Sequence, residues 1–91
     1  MTKSELIEAL ALELDINTRK SGTILETILE TMTESMVRGD DIEIRGFGSF
    51  TVKEYKPYTG RNPKTGLKIE VSPKKLPFFR VGKELKERVD S

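Results

Sequence analysis

The sequence predicts an α+β protein: two N-terminal helices, a three-stranded antiparallel sheet with a long protruding β-hairpin, and a short C-terminal helix. Three observations predict this order. Apolar residues recur at helical spacing as far as Gly39, and from Asp41 the period drops to two. The stretch Gly60-Arg61-Asn62-Pro63-Lys64-Thr65-Gly66 then stands between two strand-favouring segments, residues 51–56 and 67–71. Finally, Gly82 precedes a short, basic, helix-forming tail.

The first helix opens on Thr2-Lys3-Ser4-Glu5, which has the form of a capping box. Leu6, Ile7, Leu10 and Leu14 follow at helical spacing, predicting a helix over residues 3–14, with Leu12 off the stripe. Asp15-Ile16-Asn17-Thr18 breaks the pattern, and Asn17 or Thr18 can cap a second helix. There Ile24, Leu25, Ile28, Leu29, Met32 and Met36 recur on an arc of roughly 140°. Glu26, Glu30 and Glu34 form a ridge on the opposite side. Gly39 stops the helix, with Arg38 in its last turn, where a cation is favoured. Met32 and Met36 suit a core or a dimer interface, where thioethers fill irregular gaps.

Ile42 and Ile44 alternate with Glu43 and Arg45, as in a half-buried strand. Gly46-Phe47-Gly48-Ser49-Phe50 then turns tightly and brings two aromatics towards the core. This Gly-x-Gly pair is no phosphate loop, because no helix follows it. Residues 60–66 are no Walker loop either, because Lys64-Thr65 precede the second glycine. They read instead as a hairpin end, with Gly60 and Gly66 allowing the reversal and Pro63 fixing φ at the tip. Symmetry about Pro63 pairs Lys56 with Glu70 and Tyr55 with Val71. Pro57 and Pro73 suit strands without further neighbours. The hairpin reaches roughly 36 Å from Val52 to Pro63 at about 3.3 Å per residue. Leu76, Phe78, Phe79 and Val81 return the chain to the core, and Gly82 opens the last helix.

Ninety-one residues make one small domain with a limited core, and 35% of them are apolar. The chain has no Cys and no His, which removes disulfides, thiol nucleophiles, zinc sites and the commonest general base. No enzyme activity, cofactor, metal or small-molecule substrate is expected. No segment has the length of a transmembrane helix and no apolar leader opens the chain, so a cytoplasmic protein with no membrane partner is expected.

Charge is divided along the chain. Residues 1–45 carry five Lys/Arg and ten Asp/Glu, a net −5, whereas residues 46–91 carry eleven and five, a net +6. Such a chain offers one face to a polyanion and keeps it off another. Lys56, Arg61, Lys64, Lys68, Lys74 and Lys75 all fall on or beside the hairpin arm. The tip is apolar, rigid and flanked by cations, with nothing near it in sequence to bury it. It suits a partner that accepts a small wedge between negative charges.

Three segments together resemble the bacterial HU/integration host factor proteins: Glu43-Ile44-Arg45-Gly46-Phe47-Gly48-Ser49-Phe50, the tip over residues 60–66, and Gly82-Lys83-Glu84-Leu85-Lys86. The resemblance covers the whole chain in order and spacing. Residues 42–50 and 82–89 look most like the beta subunit of the host factor, while the lack of extensions also suits HU. It implies an intertwined dimer, with itself or a related subunit, on a base formed by residues 1–39. Residues 41–81 would form the sheet with its arm at about 53–74, and residues 82–91 the last helix. The resemblance also implies that the arms embrace double-stranded DNA in the minor groove and bend it by wedging prolines between base pairs, in the bacterial nucleoid. Family members are usually more basic than this chain, whose sequence pI is about 7.9.

On this reading Pro63 is the wedge, and Arg61 and Asn62 donate to minor-groove acceptors. Lys56, Lys64, Lys68, Lys74 and Lys75 meet phosphate, and Lys53 joins them in binding DNA. Lys3 and Lys83 contribute near helix N-termini, where free N–H groups favour an anion, and Lys86 of the last helix also binds DNA. Arg45 either reaches DNA or pairs with an acidic neighbour. The rival reading is a protein-interaction module whose hairpin adds a strand to a partner's sheet. Strand addition favours an apolar, sparsely charged edge, and this arm is studded with Lys and Arg.

Overall fold

The computed structural model describes residues 1–91, which fall into two units, Met1–Ser35 and Met36–Ser91. In the first unit, α1 spans Lys3–Leu14 and α2 begins at Thr18, running on to Val37. The capping box forms as the sequence predicts. Thr2 Oγ1 accepts the Glu5 N–H at 3.2 Å, and Glu5 Oε1 accepts the Thr2 N–H at 3.3 Å. Asp15 ends α1 in the left-handed region at φ 54°, which Asp tolerates better than most residues. Of the two candidate caps for α2, Asn17 acts, its Oδ1 accepting the Lys20 N–H at 2.8 Å.

The two helices are joined at Ser21, which is fully buried and donates its hydroxyl to the Ile7 carbonyl at 2.7 Å. Gly22 stands beside it, where an added Cβ would lie 3.7 Å from Ile7. A buried hydroxyl costs little when its hydrogen bond is made, so Ser21 fixes the crossing without an unsatisfied polar atom. Ala11 and Leu25 are the only buried apolar side chains of the chain. Leu12 points outward at 84% exposure, as its place off the stripe requires. Ile28 and Leu29, on the predicted apolar arc, remain about half exposed. Arg38 lies just beyond the last helical residue and pairs with Asp40 at 3.4 Å instead of serving the last turn of α2.

The second unit holds β1 (Ile42–Ile44), β2 (Gly48–Tyr55), β3 (Tyr58–Arg61), β4 (Lys68–Val71), β5 (Lys74–Val81) and α3 (Lys83–Val89). β1, β2 and β5 form an antiparallel sheet in that order, and β3 and β4 pair as a separate two-stranded ribbon. The turn between β1 and β2 uses Gly46 at φ 84°, with the Phe47 N–H donating to the Ile44 carbonyl at 2.9 Å. Arg45 belongs to this turn and not to the strand. The turn is held against the start of α3: Gly82 N–H donates to the Phe47 carbonyl at 2.8 Å, and Leu85 N–H to the Gly46 carbonyl at 3.2 Å. Gly48 is buried so closely that an added Cβ would meet the Arg80 carbonyl oxygen and the Phe79 ring at 2.6 Å.

Opposed residues of an antiparallel pair share a face. One face of the larger sheet therefore carries Ile42, Phe50, Val52, Pro77, Phe79 and Val81. Phe79 is its centre, with ring centroids 4.8 Å from Phe50 and 5.7 Å from Phe47. This corrects the expectation that all four apolar residues of β5 return to the core. Strand alternation sends Leu76 and Phe78 to the opposite face.

The hairpin register also differs from the symmetric one. Tyr58 faces Val71, Thr59 faces Glu70, Gly60 faces Ile69 and Arg61 faces Lys68. The axis thus falls between Lys64 and Thr65, not on Pro63, and Tyr55 faces Lys74. The reason lies in the tip, where a single glycine does the reversing. Gly66 takes φ 71°, whereas Gly60 stays in β3 and leaves room for the Tyr58 ring, 3.5 Å from where its Cβ would be. Lys56, Pro57, Ser72 and Pro73 form the break between the two sheets, where prolines cannot donate to a ladder.

Candidate nucleic-acid interface

The outward face of the larger sheet, opposite Phe50 and Phe79, carries Lys53, Tyr55, Lys74, Leu76, Phe78 and Arg80. The Lys53 ammonium sits 3.7 Å from the centroid of the Phe78 ring, and the Lys74 ammonium 6.0 Å from that of Tyr55. Arg80, opposite Ser49, adds a third cation that the motifs do not single out. The signal for it is the period of two along β5, which puts Lys74, Leu76, Phe78 and Arg80 on one side. The same alternation separates Lys75 from Lys74. Lys75 lies on the other face and pairs with Glu54 at 3.5 Å.

The arm is two-faced. Arg61 and Lys68 stand directly opposite each other on one face, together with Thr59 and Glu70. Like charges so placed oppose pairing by a few tenths of a kcal/mol, a cost that an anion between them removes. The other face is apolar, with Tyr58, Val71 and Ile69, and Leu67 closes the row opposite Asn62 at 68% exposure.

Four hydrogen bonds build the tip. Asn62 N–H donates to the Leu67 carbonyl at 2.9 Å, and Gly66 N–H donates to the Asn62 carbonyl at 2.7 Å. The Lys64 N–H donates to Asn62 Oδ1 at 2.9 Å, and the Leu67 N–H to Thr65 Oγ1 at 3.3 Å. Asn62 is thus a structural residue of the turn, with its carboxamide oxygen engaged and its NH₂ left to donate. Pro63 and Lys64 are exposed on the turn that it organises.

The remaining candidates are dispersed. Lys56 is exposed in the break between the sheets and Arg45 in the turn before Gly46, and neither has an ion-pair partner. Lys83 opens α3, 3.9 Å from Glu87, and Lys86 lies one turn further on. The start of α3 has no side-chain cap, but its Leu85 N–H is already taken by Gly46. Lys3, in the other unit, pairs with Glu26 at 3.0 Å. No His, Cys, Asp or Glu cluster is arranged to hold a metal ion, and no helix is long and apolar enough to cross a membrane.

An exposed proline on a cation-lined ribbon, continued by a cationic sheet face, is geometry for a long polyanion. Comparison with known proteins agrees. The profile of the family described as bacterial DNA-binding protein matches residues 1–90. The integration host factor subunit beta of Shewanella woodyi is 49% identical over 92 residues, covering 100% of this chain and 97% of that protein. DNA-binding protein HU-beta of Serratia marcescens is 44% identical over 90 residues, covering 99% and 100%. Among solved structures, that of Anabaena HU crystallised with DNA superposes with a TM-score of 0.85 at 38% identity, covering 98% of this chain and 97% of that one. From its capping box to its last helix, the chain is a member of the bacterial DNA-binding family to which HU and the integration host factor subunits belong.

Proposed function

We propose that this protein is an architectural DNA-binding protein that grips the minor groove of double-stranded DNA with its arm and bends the duplex at Pro63. The observation that carries the reading is the tip: an exposed proline on a hydrogen-bonded turn, flanked by Arg61, Lys64 and Lys68. Minor-groove proteins insert apolar side chains, proline among them, to unstack a base step, and the bent duplex then touches more protein; HU and integration host factor are themselves known cases of that mechanism. Lys53, Lys74 and Arg80 follow as a phosphate-binding face, with Lys56, Arg61, Lys64 and Lys68 along the arm. Asn62 offers its NH₂ to the acceptors of the groove floor. Arg45, Lys75, Lys83, Lys86 and Lys3 serve as outlying phosphate contacts. With readout of this kind, selectivity comes from DNA deformability more than from base hydrogen bonds.

The working species is a dimer, of this chain with itself or with a related subunit. Residues 1–39 form its base, residues 41–81 the sheet with the arm at about 53–74, and residues 82–91 the last helix. Its support is the near absence of a core in the single chain, where Ala11 and Leu25 alone are buried among apolar residues. A small domain that leaves Ile28, Leu29, Phe47 and Phe79 this exposed needs a second chain to cover them. A bacterial family of DNA-binding proteins works in the nucleoid, which is the proposed location.

The test is a binding titration against straight, nicked and A·T-rich duplexes at several salt concentrations, with bend read by energy transfer between end-attached dyes. The expected result is steep salt dependence, near −0.9 in log–log slope per phosphate neutralised, and preference for nicked or flexible duplexes. A slope near zero, with no change in energy transfer, refutes the reading and favours a protein partner for the arm.

A further inference from the structure

Five of the ten lysines of this chain lie against another side chain, in two different ways, and on the larger sheet the difference follows the face on which they stand. Lys3, Lys75 and Lys83 each lie within 4 Å of a carboxylate, those of Glu26, Glu54 and Glu87. Lys53 and Lys74, on the outward face of the larger sheet, face aromatic rings instead, at 3.7 Å and 6.0 Å from the centroids. A carboxylate neutralises the charge that it positions. An aromatic ring attracts the ammonium through its quadrupole and leaves the full positive charge available to a third group.

We propose that Phe78 and Tyr55 are positioning residues of a preorganised phosphate clamp, in which Phe78 sets Lys53 and Tyr55 sets Lys74. This rests on the DNA-binding reading above and goes beyond it by assigning a role to two uncharged side chains. Register supports the pairing. Tyr55 faces Lys74 directly across β2 and β5, and Thr51 faces Phe78, so that Lys53 reaches the ring diagonally. Strand alternation puts Phe78 on the side away from the Phe50–Phe79 cluster, so packing within that cluster does not account for it. A free lysine loses rotamer freedom when it binds phosphate. One already resting on a ring has lost part of that freedom beforehand, and no ion pair has to break before phosphate is bound.

The clamp makes a prediction that a charge contact or a packing role does not. Replacing Phe78 by Leu keeps every charge, so the log–log salt slope stays at the wild-type value while affinity falls at every salt concentration. The expected fall is about threefold per clamp, from the rotamer freedom that Lys53 then loses only on binding. Phe78→Tyr restores affinity because a ring returns. Lys53→Ala lowers affinity and slope together, and adding Phe78→Leu to it costs nothing more. In the free wild-type protein the Lys53 ε-methylene protons resonate upfield, shifted by the ring, and return to ordinary values in Phe78→Leu.

The measurements are duplex titrations and proton spectra on the wild type and the four variants, with secondary structure and oligomeric state checked for each. Unchanged affinity in Phe78→Leu, or additive losses in the double variant, overturns the clamp. So does an unshifted Lys53 methylene signal in the wild type. These outcomes are distinct from failure of the DNA-binding reading, which shows as a wild-type slope near zero.

Discussion

At the scale of single residues, Pro63 and Gly48 have opposite expectations. Pro63 is exposed, and the turn beneath it is closed by Asn62, Thr65 and Gly66 without it. Pro63→Ala therefore keeps the fold and most of the salt-sensitive affinity for straight duplex, but loses bend angle and preference for nicked duplex. Energy transfer across a short end-labelled duplex reads the change, and a variant that bends as sharply as the wild type removes the wedge. Gly48 has no such latitude. A methyl group there meets a backbone oxygen and a ring of the β5 core, neither of them the free end of a flexible side chain. Gly48→Ala should cost about 2 kcal/mol or more, read as a fall in the denaturation midpoint with unchanged m-value.

Elements decide which cations act together. β5 places Lys74 beside Tyr55 and Lys75 beside Glu54, on opposite faces of one strand. Lys74→Ala should flatten the salt slope by about one unit for each phosphate no longer neutralised, and Lys75→Ala by clearly less. Glu30→Gln, on the acidic ridge of α2, should leave the slope nearly unchanged. Titration over a range of salt concentrations measures all three, and equal effects from the two lysines mean that the face on which a lysine stands does not decide whether it meets phosphate. The same strand shows what is legible in the sequence and what is not. Helices can be read almost to the residue, because the capping box, Asn17 and Gly39 are local signals. The tip motif and its cations are legible for the same reason. Register is not, because the three-residue offset depends on Gly66 alone taking positive φ, and either glycine of the motif is able to do so. Arg80 escapes a motif-based reading because no motif contains it. Only its phase along β5 relative to Lys74 gives it away.

For the whole molecule, the apolar surface sets the expectation. The two buried apolar side chains cannot hold a fold of this length, and the half-exposed arc of α2 and the Phe47–Phe79 cluster are the surfaces that association would cover. Sedimentation at micromolar concentration should give about twice the 10.3 kDa chain mass, alone or with a related subunit. A stable folded species of single-chain mass removes the dimer. Charge also differs between the two units, a net −4 over Met1–Ser35 and +5 over Met36–Ser91, with the acidic ridge of α2 in the first and the cationic sheet face in the second.

The prolines at 57 and 73 interrupt hydrogen bonding without interrupting the count of residues. Tyr55 opposite Lys74 and Tyr58 opposite Val71 lie on one continuous register. The arm is accordingly graduated, like a ruler, in units fixed by strand alternation. Removing one residue from a single strand exchanges inner and outer faces from that point to the tip, carrying Arg61 or Lys68 to the wrong side. Removing two from each strand preserves both faces and shortens the reach by about 7 Å. Shortening by two residues in each strand is therefore the change of reach that keeps Arg61 and Lys68 on their present face.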